Sequence, residues 1–134
     1  MTRSGQVVSP TLLAFDVAGA ACSVALWAQG RVVARRFEAR TRGHADRLLP
    51  MIGEVLAETG LGYPDLDGLA VTQGPGGFTG VRIGLATARG LALASGKPLV
   101  GVDNFHVLAA AVPAARRQGR KLAILIDAKR AALY

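Results

Sequence analysis

The sequence predicts an α/β domain with a mixed sheet, element order β-β-β-α-β-α-β, and helices on the sheet faces. Three observations carry that expectation. Near the start, three short apolar or alternating runs are separated by tight turns, as in an antiparallel meander. The hydrophobic period then switches to helical, and helical and strand-like segments alternate, as in right-handed crossovers. Of 134 residues, 51% are hydrophobic and 19% charged. That supplies a core and excludes an intrinsically disordered chain.

The elements follow in order. Thr11 to Asp16 is a short apolar run ending in an acid, the pattern of a buried strand. Val17 to Ala21 is a small-residue turn. Cys22 to Ala28 alternates and reads as a second strand. Gln29-Gly30 is a two-residue hairpin signal. Arg31 to Glu38 is a third strand with one polar face, which places it near an edge. From His44 to Thr59, Leu48, Leu49, Met51, Ile52, Val55 and Leu56 recur at helical spacing. Pro50 falls inside this pattern and either marks the first turn or kinks the helix. Gly60 ends it. Leu69 to Gln73 is a fourth strand, followed by the loop Gly74-Pro75-Gly76-Gly77. Phe78 to Ser95 is a second helix, closed by Gly96 and Pro98. Leu99 to Val102 is a fifth strand, and Asn104 to Ala111 starts a third helix. Arg116 to Arg120 is a basic turn. Lys121 to Asp127 reads as a sixth strand, and Arg130 to Tyr134 as the start of a seventh.

This is the order of a ribonuclease H-like lobe, the half-unit of actin-like ATPase folds. Residues 1–10 are expected to form a flexible leader ending at Pro10. Residues 11–116 form the first lobe, and 117–134 the start of a second lobe cut short after Tyr134. No internal repeat or low-complexity tract interrupts the chain.

Composition narrows the function. Sixteen Lys and Arg against nine Asp and Glu give a net charge of +7. A basic balance is the footprint of a polyanion partner. Here the cations are scattered and aromatic stacking platforms are missing, so an ordinary solvated surface explains them as well. The single cysteine, Cys22, excludes an internal disulfide, and His44 and His106 have no partners at metal-ligand spacing. These counts fit a reducing cytoplasm. Asp16 interrupts the apolar stretch Thr11 to Cys22, which argues against a signal peptide. No 18-residue apolar run is present, so no membrane span is expected.

The candidate sites lack the groups for catalysis. A two-metal nuclease needs converging carboxylates. Asp16 and Glu54 could supply two, but the fourth strand ends Val71-Thr72-Gln73-Gly74, with no acid. An actin-like ATPase needs hydroxyl groups in its first hairpin loop. Here that loop, Asp16 to Ala21, has Gly19 and no hydroxyl before Ser23, so Asp16 reads as structural or as the vestige of a nucleotide site. The loop Gly74, Gly76, Gly77, Thr79, Gly80 resembles a phosphate cradle. It fails the Walker pattern for want of a lysine, and the dinucleotide pattern because Thr79 stands at the third glycine position. Helix capping by Thr79 or a glycine explains it as well. The helix that follows repeats small residues, among them Gly80, Gly84, Ala88 and Gly90. Each interior glycine costs roughly 1 kcal/mol relative to alanine, so packing must need the space, against the domain's own sheet or against another subunit. No Ser, Thr or Cys pairs with a base. Asp103 caps a helix, and Arg82 and Arg89 lie seven apart on one face. No catalytic residue and no metal ligand set is assigned.

Three segments carry a family resemblance: LLAFDVAGAACSVALW, GHADRLLPMI and, above all, GPGGFTGVRIGLATARGLA. From about Leu12 to Tyr134 the chain resembles the TsaB family, accessory subunits of bacterial tRNA threonylcarbamoyladenosine synthesis. ILIDAKRAALY is similar to the opening of that family's second lobe. The resemblance implies two ribonuclease H-like lobes and no independent catalysis. It implies pairing with TsaD, which holds the ATP and metal and transfers the threonylcarbamoyl group to the adenosine beside the anticodon in tRNAs reading ANN codons. It also implies a third partner, the ATPase TsaE, a homodimer when the subunit is alone, and no cofactor of its own. Carried over, the pairing surface comprises His44, Leu48, Leu49, Ile52, Phe78, Val81, Arg82 and Leu85. This chain departs from the family at Ala18 and Gly19, where hydroxyl residues are usual, which lowers the expectation of nucleotide binding. The other function classes considered are an autonomous actin-like ATPase or hydrolase and direct tRNA contact through Arg31, Arg35, Arg36, Arg40, Arg42 and Arg47.

Overall fold

The computed structural model describes residues 8–40, 42–129 and 131–134. The expected leader therefore lies largely outside the described residues, as does Arg130.

Five strands form one mixed sheet: β1 (Leu12–Asp16), β2 (Ala21–Ala28), β3 (Arg31–Ala39), β4 (Gly68–Thr72) and β5 (Leu99–Val102). Their order across the sheet is β3-β2-β1-β4-β5. The first three pair antiparallel, and β4 and β5 add in parallel beside β1. This is the ribonuclease H-like arrangement, with β3 at an edge. The turn joining β2 to β3 has both central residues at positive φ, Gln29 at 55° and Gly30 at 75°. That is the type I′ geometry, whose twist matches the strands it connects.

Among the described residues three helices follow their expected places, α1 (His44–Thr59), α2 (Phe78–Ser95) and α3 (Asn104–Ala110), and a fourth that the sequence did not signal, α4 (Ala114–Arg117), takes in Arg116 and Arg117 of the expected basic turn. α1 ends at Gly60 and α2 at Gly96, both left-handed with φ 70° and with the N–H turned back to a carbonyl of the last turn. Pro50 lies seven residues into α1, inside the helix, where it withholds one backbone hydrogen bond.

Register explains the core. Leu13 pairs with Leu26 and Leu69, and Phe15 with Val24 and Val71, so these side chains stand on one sheet face. Leu48, Met51, Ile52 and Val55 of α1 and Ala88 of α2 close over them. The opposite face centres on a row of small side chains, Ala25-Ala14-Ala70.

The sixth strand does not form. Lys121–Leu125 has no strand partner among the described residues, and Leu122 and Leu125 stay exposed. Asp127 bridges Leu133, and Ile126 and Tyr134 exchange both backbone hydrogen bonds, which is the extent, among the described residues, of the expected seventh strand. The alternation of Leu122, Ile124 and Ile126 is a strand signal, but a strand needs a ladder neighbour, and all five strands of the sheet lie elsewhere.

A second network fastens the edge strand to α1. Arg47 holds Glu38 of β3 and Glu54 of α1, each at 2.7 Å. Arg36 reaches Glu58 at 2.7 Å and Glu54 at 3.6 Å, and Arg40 reaches Glu38 at 3.5 Å. Hydrogen bonding from Arg47 holds the Glu38 and Glu54 carboxyls below their usual range. A carboxyl lowered in the folded state stabilises above the ordinary glutamate range, and that stabilisation disappears as pH falls through the lowered values. Urea midpoints from pH 7 to pH 3 are expected to show it. Arg47→Gln lowers the midpoint at neutral pH, and its deficit shrinks towards zero in acid. A deficit independent of pH would show that the network adds nothing through its carboxylates.

Candidate functional site

Two regions hold the residues singled out by the sequence: the cleft at the C-terminal ends of β1 and β4, and the outer face of α1 and α2.

At the cleft, Asp16 ends β1. Its Oδ1 accepts from the Ala18 N–H at 2.8 Å and from the Thr72 hydroxyl at 2.6 Å. Its Oδ2 accepts from the Asn104 side-chain amide at 3.4 Å. Asn104 in turn brackets Gly74: its Oδ1 accepts from the Gly74 N–H at 3.0 Å, and its own N–H donates to the Gly74 carbonyl at 2.9 Å. Thr72 and Asn104 are buried. Neither stands out in the sequence: a Thr at a strand end is ordinary alone, and Asn104 follows a strand end where capping by Asp103 is explanation enough. Their meaning comes from sharing one carboxylate 56 and 88 residues away.

The glycine loop lies flat on the β1–β2 turn. The Gly77 N–H donates to the Ala18 carbonyl at 2.7 Å. A Cβ on Gly76 would run into the Ala18 carbonyl oxygen, and one on Gly80 into that of Val17. A Cβ on Gly84 would stand 2.9 Å from a Val17 methyl. Two loop amides, those of Gly74 and Gly77, are thus committed to the chain itself. Gly77 caps α2 without a side-chain bond, and Thr79 stands exposed in the first turn. Gly19 meets open space.

The cleft between these parts encloses about 1230 Å³. Besides Asp16 and the glycine loop, it is lined by Arg40, Arg42, His44, Asp127 and Lys129. His44 Nε2 is shielded there with no hydrogen-bond partner. Glu54, the second candidate carboxylate, is turned to Arg47 and Arg36 instead of Asp16. At α3, Asp103 caps the helix by accepting from the His106 N–H at 2.9 Å, which holds its carboxyl below the usual range.

The helical face corrects the sequence-derived surface. Leu48 and Ile52 are 0% exposed and pack in the domain's own core, so they cannot meet a partner. Helical periodicity marks the whole apolar arc of α1 without saying where the sheet stops covering it. Leu49, one position on, is 52% exposed. On α2, Phe78 is 75% exposed and Leu93 87%. The Arg82 guanidinium lies 5.0 Å from the Phe78 ring centre, a cation–π contact. Val81 and Leu85 are half-buried, and Leu85 rests against the core. The small residues of α2 divide by face. Gly84 and Ala88 are buried against the sheet, while Ala86, Gly90 and Ala94 point outward, with open space over Gly90.

Of the six arginines weighed for tRNA, Arg36, Arg40 and Arg47 are ion-paired inside the chain. Among the described residues no helix is long and apolar enough to cross a membrane.

The family described as TsaD, tRNA N6-adenosine threonylcarbamoyltransferase, matches residues 32–134. The tRNA threonylcarbamoyladenosine biosynthesis protein TsaB of Escherichia coli (strain K12) is 43% identical over 124 residues, covering 92% of this chain and 52% of that protein. The chain thus spans about half the length of the curated relatives it matches. The structure of YeaZ from Pseudomonas aeruginosa superposes with a TM-score of 0.83 at 41% identity, over 93% of this chain and 58% of that one. RuvC of T. thermophilus, bound to a Holliday junction, superposes with a TM-score of 0.52 at 14% identity, over 76% of this chain and 69% of its own, which speaks for the fold alone.

Proposed function

As the chain belongs to the TsaD family and is similar to TsaB along most of its length, we propose that it serves tRNA threonylcarbamoyladenosine synthesis as a partner subunit without transfer chemistry of its own. It pairs with TsaD through the outer face of α1 and α2. The observation that carries this reading is the exposed stripe of Phe78, Arg82 and Leu93 on α2, with Leu49 on α1 and open space over Gly90. Spaced four and then eleven residues apart, Phe78, Arg82 and Leu93 share one face of α2, and exposed apolar residues on one helix face mark an interaction surface. Val81 and Leu85 border it, and His44 stands at its cleft end. ATP and metal then belong to TsaD, TsaE joins the assembly, and the same face closes a homodimer when the subunit is alone.

The Asp16 cluster supports the non-catalytic half of the reading. Every oxygen of its carboxylate already accepts from the chain. Any tRNA contact belongs to the assembled complex and to the arginines that form no ion pair among the described residues, Arg31, Arg35 and Arg42.

Light scattering on a sizing column tests the pairing. The chain mixed with its organism's TsaD is expected to run as a 1:1 species, and Phe78→Glu to dissolve it while the circular dichroism spectrum stays unchanged. Absence of a mixed species from folded proteins would overturn the proposal. Nucleotide hydrolysis by the chain alone, abolished by Asp16→Ala, would replace it with an autonomous ATPase.

A further inference from the structure

Asp16 stands at the position of a nucleotide-site acid, yet its bonds run to the base of α2. Two bolts hold the loop before that helix. One runs from Asp16 Oδ1 through the Ala18 N–H, then from the Ala18 carbonyl to the Gly77 N–H. The other runs from Asp16 Oδ2 through the Asn104 side chain, which holds Gly74 at both its N–H and its carbonyl. Thr72 fixes the carboxylate between them. Gly76 and Gly80 lie against the 17–18 backbone with no side chain between. A shift of that turn therefore passes directly to the first two turns of α2, where Phe78 and Arg82 stand exposed.

We propose that Asp16 and Asn104 are positioning residues for the pairing face: they set where Phe78 and Arg82 are presented to TsaD. The inference rests on the pairing reading above and assigns a use to an acid that reads in sequence as a vestige.

The hydrogen-bond polarity supplies the test. In Asp16→Asn, the side-chain oxygen keeps Ala18 and Thr72, and its NH2 then faces the NH2 of Asn104, two donors together. In Asn104→Asp, two carboxylates face each other. The double swap, Asp16→Asn with Asn104→Asp, restores one donor and one acceptor at the contact and keeps an acceptor for Gly74. Each single variant is expected to weaken TsaD binding about tenfold, as befits a buried polar mismatch, and the swap to recover most of the loss. Amide exchange at Gly74 to Gly80 should quicken in the singles and slow again in the swap.

Leu66→Ala is the control, a core truncation in neither helix of the pairing face and in no bond of the network. At a temperature where all variants are folded, it should leave TsaD affinity unchanged. Thr72→Val, near in shape and lacking the donor to Asp16, keeps the test open where a single swap fails to fold, and is expected to weaken binding in the same direction. Unchanged affinity in the folded singles, no recovery in the swap, or an equal loss in Leu66→Ala would overturn the inference. Phe78→Glu runs alongside. If it leaves binding intact, the pairing face itself is wrong. If it abolishes binding while the network variants do not, only the positioning role falls.

Discussion

Gly80→Ala is expected to destabilise the domain by roughly 3 kcal/mol, the upper end of overpacking costs. Gly90→Ala, ten residues along the same helix, is expected to stabilise it by about 1 kcal/mol. The opposite signs follow from what each new methyl meets. At Gly80 it meets the Val17 carbonyl oxygen, a backbone atom of the β1–β2 turn held by Asp16. No rotamer relieves that clash, so the N-terminus of α2 must lift off the turn. At Gly90 it meets nothing within 4 Å, and alanine replaces the most flexible residue in a helix interior. Urea unfolding of both variants decides the matter. A Gly80→Ala midpoint equal to that of the unsubstituted chain would show that α2 does not lie on the turn as described. If a partner helix occupies the space over Gly90, Gly90→Ala should also weaken pairing while raising stability, a combination that an unoccupied surface would not give.

Leu48→Glu and Leu49→Glu should behave as different kinds of change, though they are neighbours on α1. Leu48 is 0% exposed beneath the sheet. A carboxylate there has no partner, and an uncompensated buried charge costs about 3–5 kcal/mol. That is most of a small domain's stability, so Leu48→Glu is expected to lose its cooperative thermal transition. Leu49 is 52% exposed, so its glutamate stays in water. Leu49→Glu is expected to keep its melting temperature within a few degrees and to lose TsaD binding. A folded Leu48→Glu would contradict the core, and a binding-competent Leu49→Glu would narrow the pairing face to α2.

Local signals carried most of the fold. The ends of α1 and α2 are written in His44 to Gly60 and Phe78 to Gly96 because glycine alone adopts the left-handed cap without strain. The β2–β3 turn is written in Gln29-Gly30 for a similar reason. The sixth strand was misread because alternation reports a preference for extended backbone, and the ladder partner is a non-local fact. The division between Leu48 and Leu49 was equally illegible, since a helical period gives the direction of an apolar arc and not the edge of the sheet that covers it.

By itself the sequence determined the order of strands β1 to β5 and helices α1 to α3, the turns and caps, and the want of a third strand-end acid. Each depends on residues close together in the chain. Only the tertiary structure decided that Arg36, Arg40 and Arg47 face glutamates, that Gly80 and Gly84 face inward and Gly90 outward, and that Asp16, Thr72 and Asn104 share one network. These are contacts between residues tens of positions apart, and packing alone brings their donors and acceptors within reach.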